Sequence, residues 1–134
     1  MKKGLLSLII ISIAVSSLML KAQDENSNGI YKSVDEEVGL EIFRGTGEVK
    51  LLIQVKDITQ YHHIVVERSA ETLNYFGKCK YISSAGVKLT DGKISEADKY
   101  PYSAAKNVYY RIKTVTTDGI ERAYPAVLLP AITQ

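Results

Sequence analysis

Cysteine is almost absent from this chain of 134 residues, because Cys79 is the only one. A single thiol excludes an internal disulfide and the zinc sites that are built from several cysteines. Tryptophan is absent and proline occurs three times, whereas tyrosine occurs nine times. A domain of this size without disulfides must be held by an ordinary hydrophobic core, and tyrosine is the main aromatic residue available for a core or a contact surface.

A long apolar run occurs only near the N-terminus. Lys2 and Lys3 precede an apolar stretch of sixteen residues over 5–20, and a polar, acidic segment follows. This order is typical of a secretory signal peptide, and we predict a leader over 1–22 with cleavage after Ala22. An uncleaved anchor is the alternative, although the stretch is shorter than the roughly 20 residues that span a bilayer. We therefore expect an exported protein, in the periplasm, at the cell surface or outside the cell.

The charge balance excludes a large net charge on the chain that follows the leader. Three of the 17 basic residues lie in the predicted leader, which leaves 14 basic residues against 15 acidic ones. A nearly neutral chain lacks the basic footprint of a nucleic-acid-binding protein, so we expect no nucleic acid among its partners. Membrane contact is expected only through the leader, if it is not cleaved. The chain that follows the leader has the length of a single domain. We predict a flexible segment over 23–36 and a folded domain over 37–134.

The apolar residues after position 37 recur mostly with a period of two, and the 3.6-residue period of an amphipathic helix is not found. In the run 49–55, for example, Val49, Leu51 and Ile53 share one face. Such alternation indicates half-buried antiparallel strands, and turn residues separate the runs. The sequence therefore predicts an all-β sandwich of about seven antiparallel strands, over 39–43, 49–55, 61–68, 75–82, 93–97, 108–117 and 120–129.

The last two runs are joined by Asp118-Gly119, which predicts a hairpin with a two-residue type I′ turn. In the resulting register, Thr117 lies opposite Ile120, and one face of the hairpin is almost wholly apolar. A slip of one residue would exchange the faces of a strand, so this sorting favours the register. Pro125 has no N–H to donate, and we predict that the last strand lies at a sheet edge or bends there. The residues predicted to point into the core are Val108, Tyr110, Ile112, Val127 and Leu129.

Several segments share residue types and spacing with one kind of domain. They are IVVERS at 64–69, NYFG at 74–77, YYRIK at 109–113 and the Asp118-Gly119 pair. Over residues 38–130 this pattern resembles the fibronectin type III-like domains of secreted and surface proteins from gliding-type Gram-negative bacteria. The resemblance implies a seven-stranded, immunoglobulin-like sandwich that serves as a spacer or binding module. It brings no catalytic residues with it.

Residues suited to catalysis or metal binding are sparse. His62 and His63 are adjacent on a predicted strand, so their rings are expected to point to opposite faces and not to share a metal. Glu67 and Arg68 are expected to diverge in the same way and to form ion pairs. Ser69 has no glycine-rich elbow around it, and no P-loop or dinucleotide-binding pattern occurs. We predict no catalytic residue, no metal and no cofactor, and hence that the chain is not an enzyme.

Cys79 lies between two lysines, whose charges would make an exposed thiol reactive. Strand alternation predicts instead that Cys79 and Tyr81 share one face and that Lys78 and Lys80 share the other. The prediction is therefore a buried, inert thiol, with a reactive one as the alternative.

The tyrosines supply the remaining predictions. Tyr110 is expected to point inward and to form a tyrosine corner, in which the hydroxyl bonds to the backbone a few residues upstream. The outward face of the hairpin is the candidate partner-contact surface, because Tyr and Arg are enriched among interface hot spots, with an ordinary solvated face as the alternative. Its members are Tyr109, Arg111, Lys113, Arg122 and Tyr124.

These observations favour an exported, non-catalytic binding or spacer module that makes protein–protein contacts at the cell envelope. The alternative is a carbohydrate-binding module that uses exposed tyrosines, for which a set of coplanar rings in a shallow groove is the expected sign. A small enzyme would need a pocket with converging titratable groups, and the sequence gives no reason to expect one.

Overall fold

The computed structural model describes residues 23–25, 29–33 and 35–132, so the predicted leader lies outside the described residues. Within them, one 3₁₀ turn at Ile58–Gln60 accompanies the strands, and no helix has the length and apolar character needed to cross a membrane. The strands are β1 Gln23–Glu25, β2 Tyr31–Ser33, β3 Val38–Gly45, β4 Glu48–Val55, β5 Tyr61–Ala70, β6 Gly77–Ser83, β7 Lys93–Asp98, β8 Val108–Thr116, β9 Glu121–Ala123 and β10 Val127–Leu129.

The strands form two antiparallel sheets that make a β-sandwich, as predicted. The first sheet has the order β1-β2-β3-β4-β7. In the second sheet β5 lies between β6 and β8, and the other edge of β8 pairs with both β9 and β10. Each of the seven predicted runs contains a strand, and the last run is divided into β9 and β10.

The core lies between the sheets and follows the period of two along the strands. In β3 the burial alternates at Val38, Leu40 and Ile42, and β4 repeats the pattern. Each such side chain contributes about 1.5–3 kcal/mol when it is fully buried. The inward-pointing residues predicted for the final hairpin, which are Val108, Tyr110, Ile112, Val127 and Leu129, are all buried.

The turn of that hairpin differs from the prediction. The Gly119 N–H donates to the Thr116 carbonyl (3.0 Å) and the Thr116 N–H donates to the Ile120 carbonyl (2.9 Å), so the loop has three residues and not two. Only Gly119 has a positive φ, at 89°, whereas a type I′ turn needs positive φ at both central residues. A three-residue loop that ends in a left-handed glycine is the next most common hairpin connection.

The longer loop shifts the pairing of β9 by one residue, so the predicted register is wrong next to the turn. Thr114 lies opposite Arg122, and the Tyr124 N–H donates to the Ile112 carbonyl (2.9 Å). The last strand then breaks around Pro125, as predicted, and gains one residue relative to β8. That extra residue returns β10 to the predicted register, with Tyr110 opposite Val127.

The segment 23–36, predicted as flexible, contributes two short strands to the first sheet. Tyr31 in β2 lies opposite Ile42 in β3, and β1 continues the sheet beyond β2. The buried Ser33 hydroxyl accepts a hydrogen bond from the Leu40 N–H (3.0 Å). The first sheet therefore includes residues before position 37.

Candidate functional site

Of the three outward residues of β8 that were predicted to contact a partner, Arg111 and Lys113 are engaged within the domain. Tyr109, Arg111 and Lys113 are half-buried on the outer face of the second sheet. The Arg111 Nε donates to Glu67 Oε1 (2.8 Å), and the guanidinium lies 4.0 Å from the centre of the Phe76 ring. The Lys113 Nζ is 3.9 Å from the same Glu67 carboxylate. These side chains mainly cover the outside of their own sheet.

The other two predicted contact residues do not lie on that face, so this part of the prediction is wrong. The one-residue shift places Tyr124 opposite Ile112, and its side chain is buried in the core. Arg122 points to the same side, beyond the end of the core. It lies over the Tyr124 ring at 4.6 Å and approaches Glu37, the residue before β3, with 3.6 Å between Nη1 and Oε2.

Glu67 and Arg68 diverge and form separate ion pairs, as predicted. Glu67 pairs with Arg111 on the outer face, whereas Arg68 points inward and pairs with Asp98 of the other sheet. Ser69 is buried, and its hydroxyl has no hydrogen-bond partner within the described part of the chain. No reactive arrangement results from these three neighbours.

The predicted distribution of the β6 side chains between the two faces of the sheet is wrong. The reason is that the pairing of β6 with β5 shifts between Val66 and Glu67. Lys80 lies opposite the buried Val66 and therefore on the inward side, while Cys79 packs against the core. Tyr81 points outward, so it does not share a face with Cys79.

Burial, and next the charge of Asp98, raise the pKa of the Cys79 thiol from 9.0 to about 11. The thiolate is therefore disfavoured at neutral pH, which makes the thiol a poor nucleophile.

The two adjacent histidines do not diverge. Between Tyr61 and His63 the pairing of β5 with β8 shifts by one residue, which leaves His62 as the extra residue of a bulge. The Nδ1 atoms of the two rings are 2.9 Å apart. Strand alternation fails at a bulge, and for this reason the prediction that the rings point to opposite faces is wrong.

A buried polar network joins the two sheets at one end of the sandwich. The Tyr110 hydroxyl donates to Asp98 Oδ2 (2.7 Å), and the same oxygen accepts from Arg68 Nη1. The predicted tyrosine corner is therefore wrong: the hydroxyl bonds to a carboxylate of the opposite sheet and not to a nearby backbone group. Burial, followed by the hydrogen bond to Asp98, raises the pKa of Tyr110 above its ordinary value of 10.0.

This network also fixes the loop that follows β7. The Arg68 Nη1 donates to the Tyr100 carbonyl (2.8 Å), and the Tyr100 N–H donates to Asp98 Oδ1 (3.2 Å). The Arg68 guanidinium lies 4.5 Å from the centre of the Tyr102 ring. Two positions of the loop are therefore attached to a buried ion pair, which limits its movement.

Three exposed tyrosines lie on the loops 71–76 and 99–107 at this end of the molecule. We call Tyr75, Tyr100 and Tyr102 the aromatic end. Their exposed fractions are 81%, 85% and 39%, which is unusual for such large side chains. The two loops are joined by a hydrogen bond of 2.8 Å from the Glu71 N–H to the Asn107 carbonyl.

A shallow cleft of about 550 Å³ opens beside the aromatic end. Its lining includes Tyr100 and Tyr102 together with the cations Arg44 and Lys99. The acidic residue in the lining, Glu48, pairs with a lysine outside the cleft at 3.3 Å. The cleft thus combines aromatic rings with cationic hydrogen-bond donors.

The aromatic end was not predicted from the sequence, in which Tyr100 and Tyr102 lie between the predicted strands 93–97 and 108–117. The available signal was the pair Tyr100 and Tyr102 in a segment that lacks strand alternation, whereas Tyr75 begins the predicted strand 75–82. Side chains in such loops have no assigned core face, so exposure follows more readily there than in a strand.

Within the described part of the chain, no group of three or more His, Cys, Asp or Glu residues is arranged to hold a metal ion. The candidate functional surface is therefore the aromatic end with its cleft. Comparisons with protein-family models, with curated proteins and with solved structures gave no match to this chain.

Proposed function

We propose that this chain is an exported, non-catalytic binding module of the fibronectin type III-like class that contacts a protein partner at the cell envelope through its aromatic end. One observation carries the proposal: the exposed Tyr100 and Tyr102 stand on a loop that the network of Arg68 and Asp98 holds in place, and a backbone hydrogen bond joins this loop to the one that carries Tyr75.

Pre-organisation is the physical reason to expect binding at the aromatic end. A loop that is already ordered loses less conformational entropy when it meets a partner, so more of its contact energy appears as affinity. Tyrosine offers a large contact area with few rotatable bonds, and it is enriched at hot spots. Tyr100, with 85% of its side chain exposed, is the residue expected to contribute most.

The aromatic end is a better candidate than the outward face of β8. Arg111 and Lys113 both contact the Glu67 carboxylate, and a partner would have to compete with those ion pairs. A partner that binds the Tyr100 ring would not have to replace such ion pairs, because the hydrogen bonds that hold this residue are made by its backbone.

The order of the strands supports the class. The strands β3, β4 and β7 form one sheet, and β5, β8 and the divided last strand belong to the other. An immunoglobulin-like sandwich has the same division between its first, second and fifth strands and its third, sixth and seventh. The fourth strand, β6, pairs with the third in this chain.

A carbohydrate partner is the second candidate, and the cleft is the observation that favours it. Aromatic rings beside cationic donors suit a sugar, whose apolar face can stack while its hydroxyls accept hydrogen bonds. Tyr75 lies on the neighbouring loop and does not line the cleft, so a sugar would use Tyr100 and Tyr102 without it.

The test is a binding measurement on matched tyrosine variants. A partner captured from envelope extract is identified by mass spectrometry and then titrated against purified wild type, Tyr100→Ala and Tyr81→Ala. Tyr81 is also half-exposed but lies on the side of the second sheet, so it serves as the control. We expect Tyr100→Ala to weaken binding at least tenfold and Tyr81→Ala to leave it within twofold. Equal affinities for all three proteins would reject the aromatic end as the contact surface.

A parallel titration against a panel of soluble oligosaccharides separates the two candidates. Saturable sugar binding that is lost with Tyr100→Ala and kept with Tyr75→Ala would favour the carbohydrate module. Dependence of partner binding on both Tyr75 and Tyr100 would favour the protein partner, since only a larger surface reaches both loops.

A further inference from the structure

The bulge at the start of β5 places two imidazole rings together on the surface. His62 is exposed and His63 is half-buried, and their Nδ1 atoms are 2.9 Å apart. Their ring centres are 5.1 Å apart with an angle of 83° between the planes. The distance between the ring centres exceeds the distance between the Nδ1 atoms by only 2.2 Å. Each Nδ1 atom therefore lies on the side of its ring that faces the other ring. In the neutral pair one Nδ1–H donates to the other Nδ1.

Neighbouring groups restrain both residues. The His63 ring stacks on Tyr81, with 4.8 Å between centres and 28° between planes. The His62 carbonyl accepts hydrogen bonds from the Ser84 N–H (3.1 Å) and the Ser84 hydroxyl (3.0 Å). The backbone of the bulge and one of the two rings are therefore held before any ligand arrives.

We propose that His62 and His63 form a chelating site for a cupric ion, bound through the two Nδ1 atoms. Imidazole nitrogen is a good ligand for copper, and Cu²⁺ binds more strongly than the neighbouring divalent metals at a given nitrogen site. The inference is independent of the proposed function, because the pair lies outside the aromatic end and its cleft.

The spacing of the nitrogens favours a square-planar or tetragonal ion. With metal–nitrogen bonds of about 2.0 Å, two nitrogens at the observed separation subtend an angle of about 90° at the metal. A tetrahedral ion with the same bond length would need the nitrogens about 3.3 Å apart. Square-planar nitrogen and oxygen sites are typical of Cu²⁺ and Ni²⁺, whereas zinc prefers a tetrahedron.

Binding requires two changes in the pair. The ring that carries hydrogen on Nδ1 transfers it through water to Nε2, so neutral rings bind the ion without a net loss of protons. The rings also turn away from the line that joins the two nitrogens, so that their lone pairs meet at the ion, and most of this movement falls to the exposed His62 because Tyr81 restrains His63. Since the described residues contain no metal cluster of three or more ligands, water completes the coordination and the ion remains exchangeable.

The test uses protein purified without a histidine tag and titrated with Cu²⁺ alone. Electron paramagnetic resonance reports the ligand nitrogens, and competition with glycine gives the affinity. We expect one ion per chain with hyperfine coupling to two nitrogens, and at least tenfold weaker binding in His62→Ala and in His63→Ala. Zn²⁺ should bind at least tenfold more weakly than Cu²⁺.

Tyr81→Phe serves as the control, because it keeps the ring that stacks on His63 and should bind copper like the wild type. Far-UV circular dichroism of each variant checks that the sandwich is intact, which is expected for changes at an exposed bulge. Equal copper affinity in the wild type and the His62→Ala, His63→Ala double variant would place the ion elsewhere, such as at the N-terminal amine, and would overturn the proposal. Equal affinities for Zn²⁺ and Cu²⁺ would also overturn it.

Discussion

Asp98 is a buried carboxylate that serves three groups at once. It accepts from the Arg68 guanidinium, from the Tyr110 hydroxyl and from the Tyr100 N–H. A buried charge is tolerated when its partners replace the lost water, and removing one partner costs more than the bond contributes by itself. This residue therefore connects the stability of the core with the position of the aromatic end.

Tyr110→Phe tests how much the hydrogen bond to Asp98 contributes to the stability of the core. The substitution removes one hydrogen bond to a charged acceptor and leaves the ring in place. Because Arg68 still pairs with Asp98, we expect the free energy of unfolding to fall by about 1–2 kcal/mol. Urea denaturation followed by circular dichroism measures the change.

Tyr75→Phe is the matched control, since its side chain is 81% exposed and its hydroxyl is available to water. It should change the free energy of unfolding by less than about 0.5 kcal/mol. If both variants unfold like the wild type, the bond between Tyr110 and Asp98 contributes nothing to stability.

The sequence predicted individual residues well where alternation continues and poorly where it is interrupted. The inward direction of Tyr110 followed from its place in β8, but its partner did not, because Asp98 lies on another sheet and no local pattern joins the two. Tyr124 was assigned to the wrong side since its direction depends on the length of a turn. The meeting of His62 and His63 depends on a bulge, which leaves no clear mark on a single sequence.

At the scale of elements, the final hairpin combines two irregularities that offset each other. The three-residue loop shifts β9 by one residue, and the break around Pro125 restores the pairing in β10. The consequence is that Val127 and Leu129 return to the core after Tyr124 has already been buried. The last strand therefore contributes side chains to the core both before and after its break around Pro125.

Gly119→Ala tests the turn. The φ of Gly119 is 89°, a left-handed conformation that a residue with a Cβ adopts at a cost of about 1–2 kcal/mol. No heavy atom would meet the new methyl group within 4 Å, so the cost comes from the backbone alone. We expect the free energy of unfolding to fall by about that amount in thermal or urea denaturation.

Gly77→Ala provides the comparison for this prediction. Gly77 lies at the start of the edge strand β6, its φ is not positive, and its surroundings are also open. Alanine there should be neutral or slightly stabilising, because it restricts the unfolded chain. Equal losses in the two variants would mean that the conformation of Gly119 is not what the turn requires.

The strands themselves could be predicted because the sheets have one buried face each, and a buried face imposes a period of two. The pairing of neighbours could not be predicted as well. It depends on turn length and on bulges, such as the shifts between Tyr61 and His63 and between Val66 and Glu67. The aromatic end could not be derived at all, since it consists of loops whose positions are fixed by a contact between sheets.

At the scale of the whole molecule, two buried tyrosine hydroxyls connect elements that are distant in sequence. Tyr110 bonds to Asp98 near one end of the sandwich. Tyr61, the first residue of β5, interacts with Tyr124, which lies between β9 and β10. Burial, followed in each case by these hydrogen bonds, raises the pKa of both phenols above their ordinary value of 10.0. Both must therefore stay protonated in the folded protein at pH values where an unfolded chain would ionise.

This requirement predicts a loss of stability in alkali. The folded pKa lies above the unfolded one, so the contribution of each tyrosine is complete below pH 10 and is lost as the pH rises towards the folded value. Between pH 10 and pH 11 each tyrosine should lower the free energy of unfolding by about 1 kcal/mol. Urea denaturation of wild type and Tyr61→Phe at pH 9, 10 and 11 at constant ionic strength measures the difference. Lysines titrate in the same range in both proteins and cancel in the comparison. Tyr61→Phe should therefore lose less stability than the wild type above pH 10, and parallel curves would show that Tyr61 ionises as readily in the folded protein as in the unfolded chain.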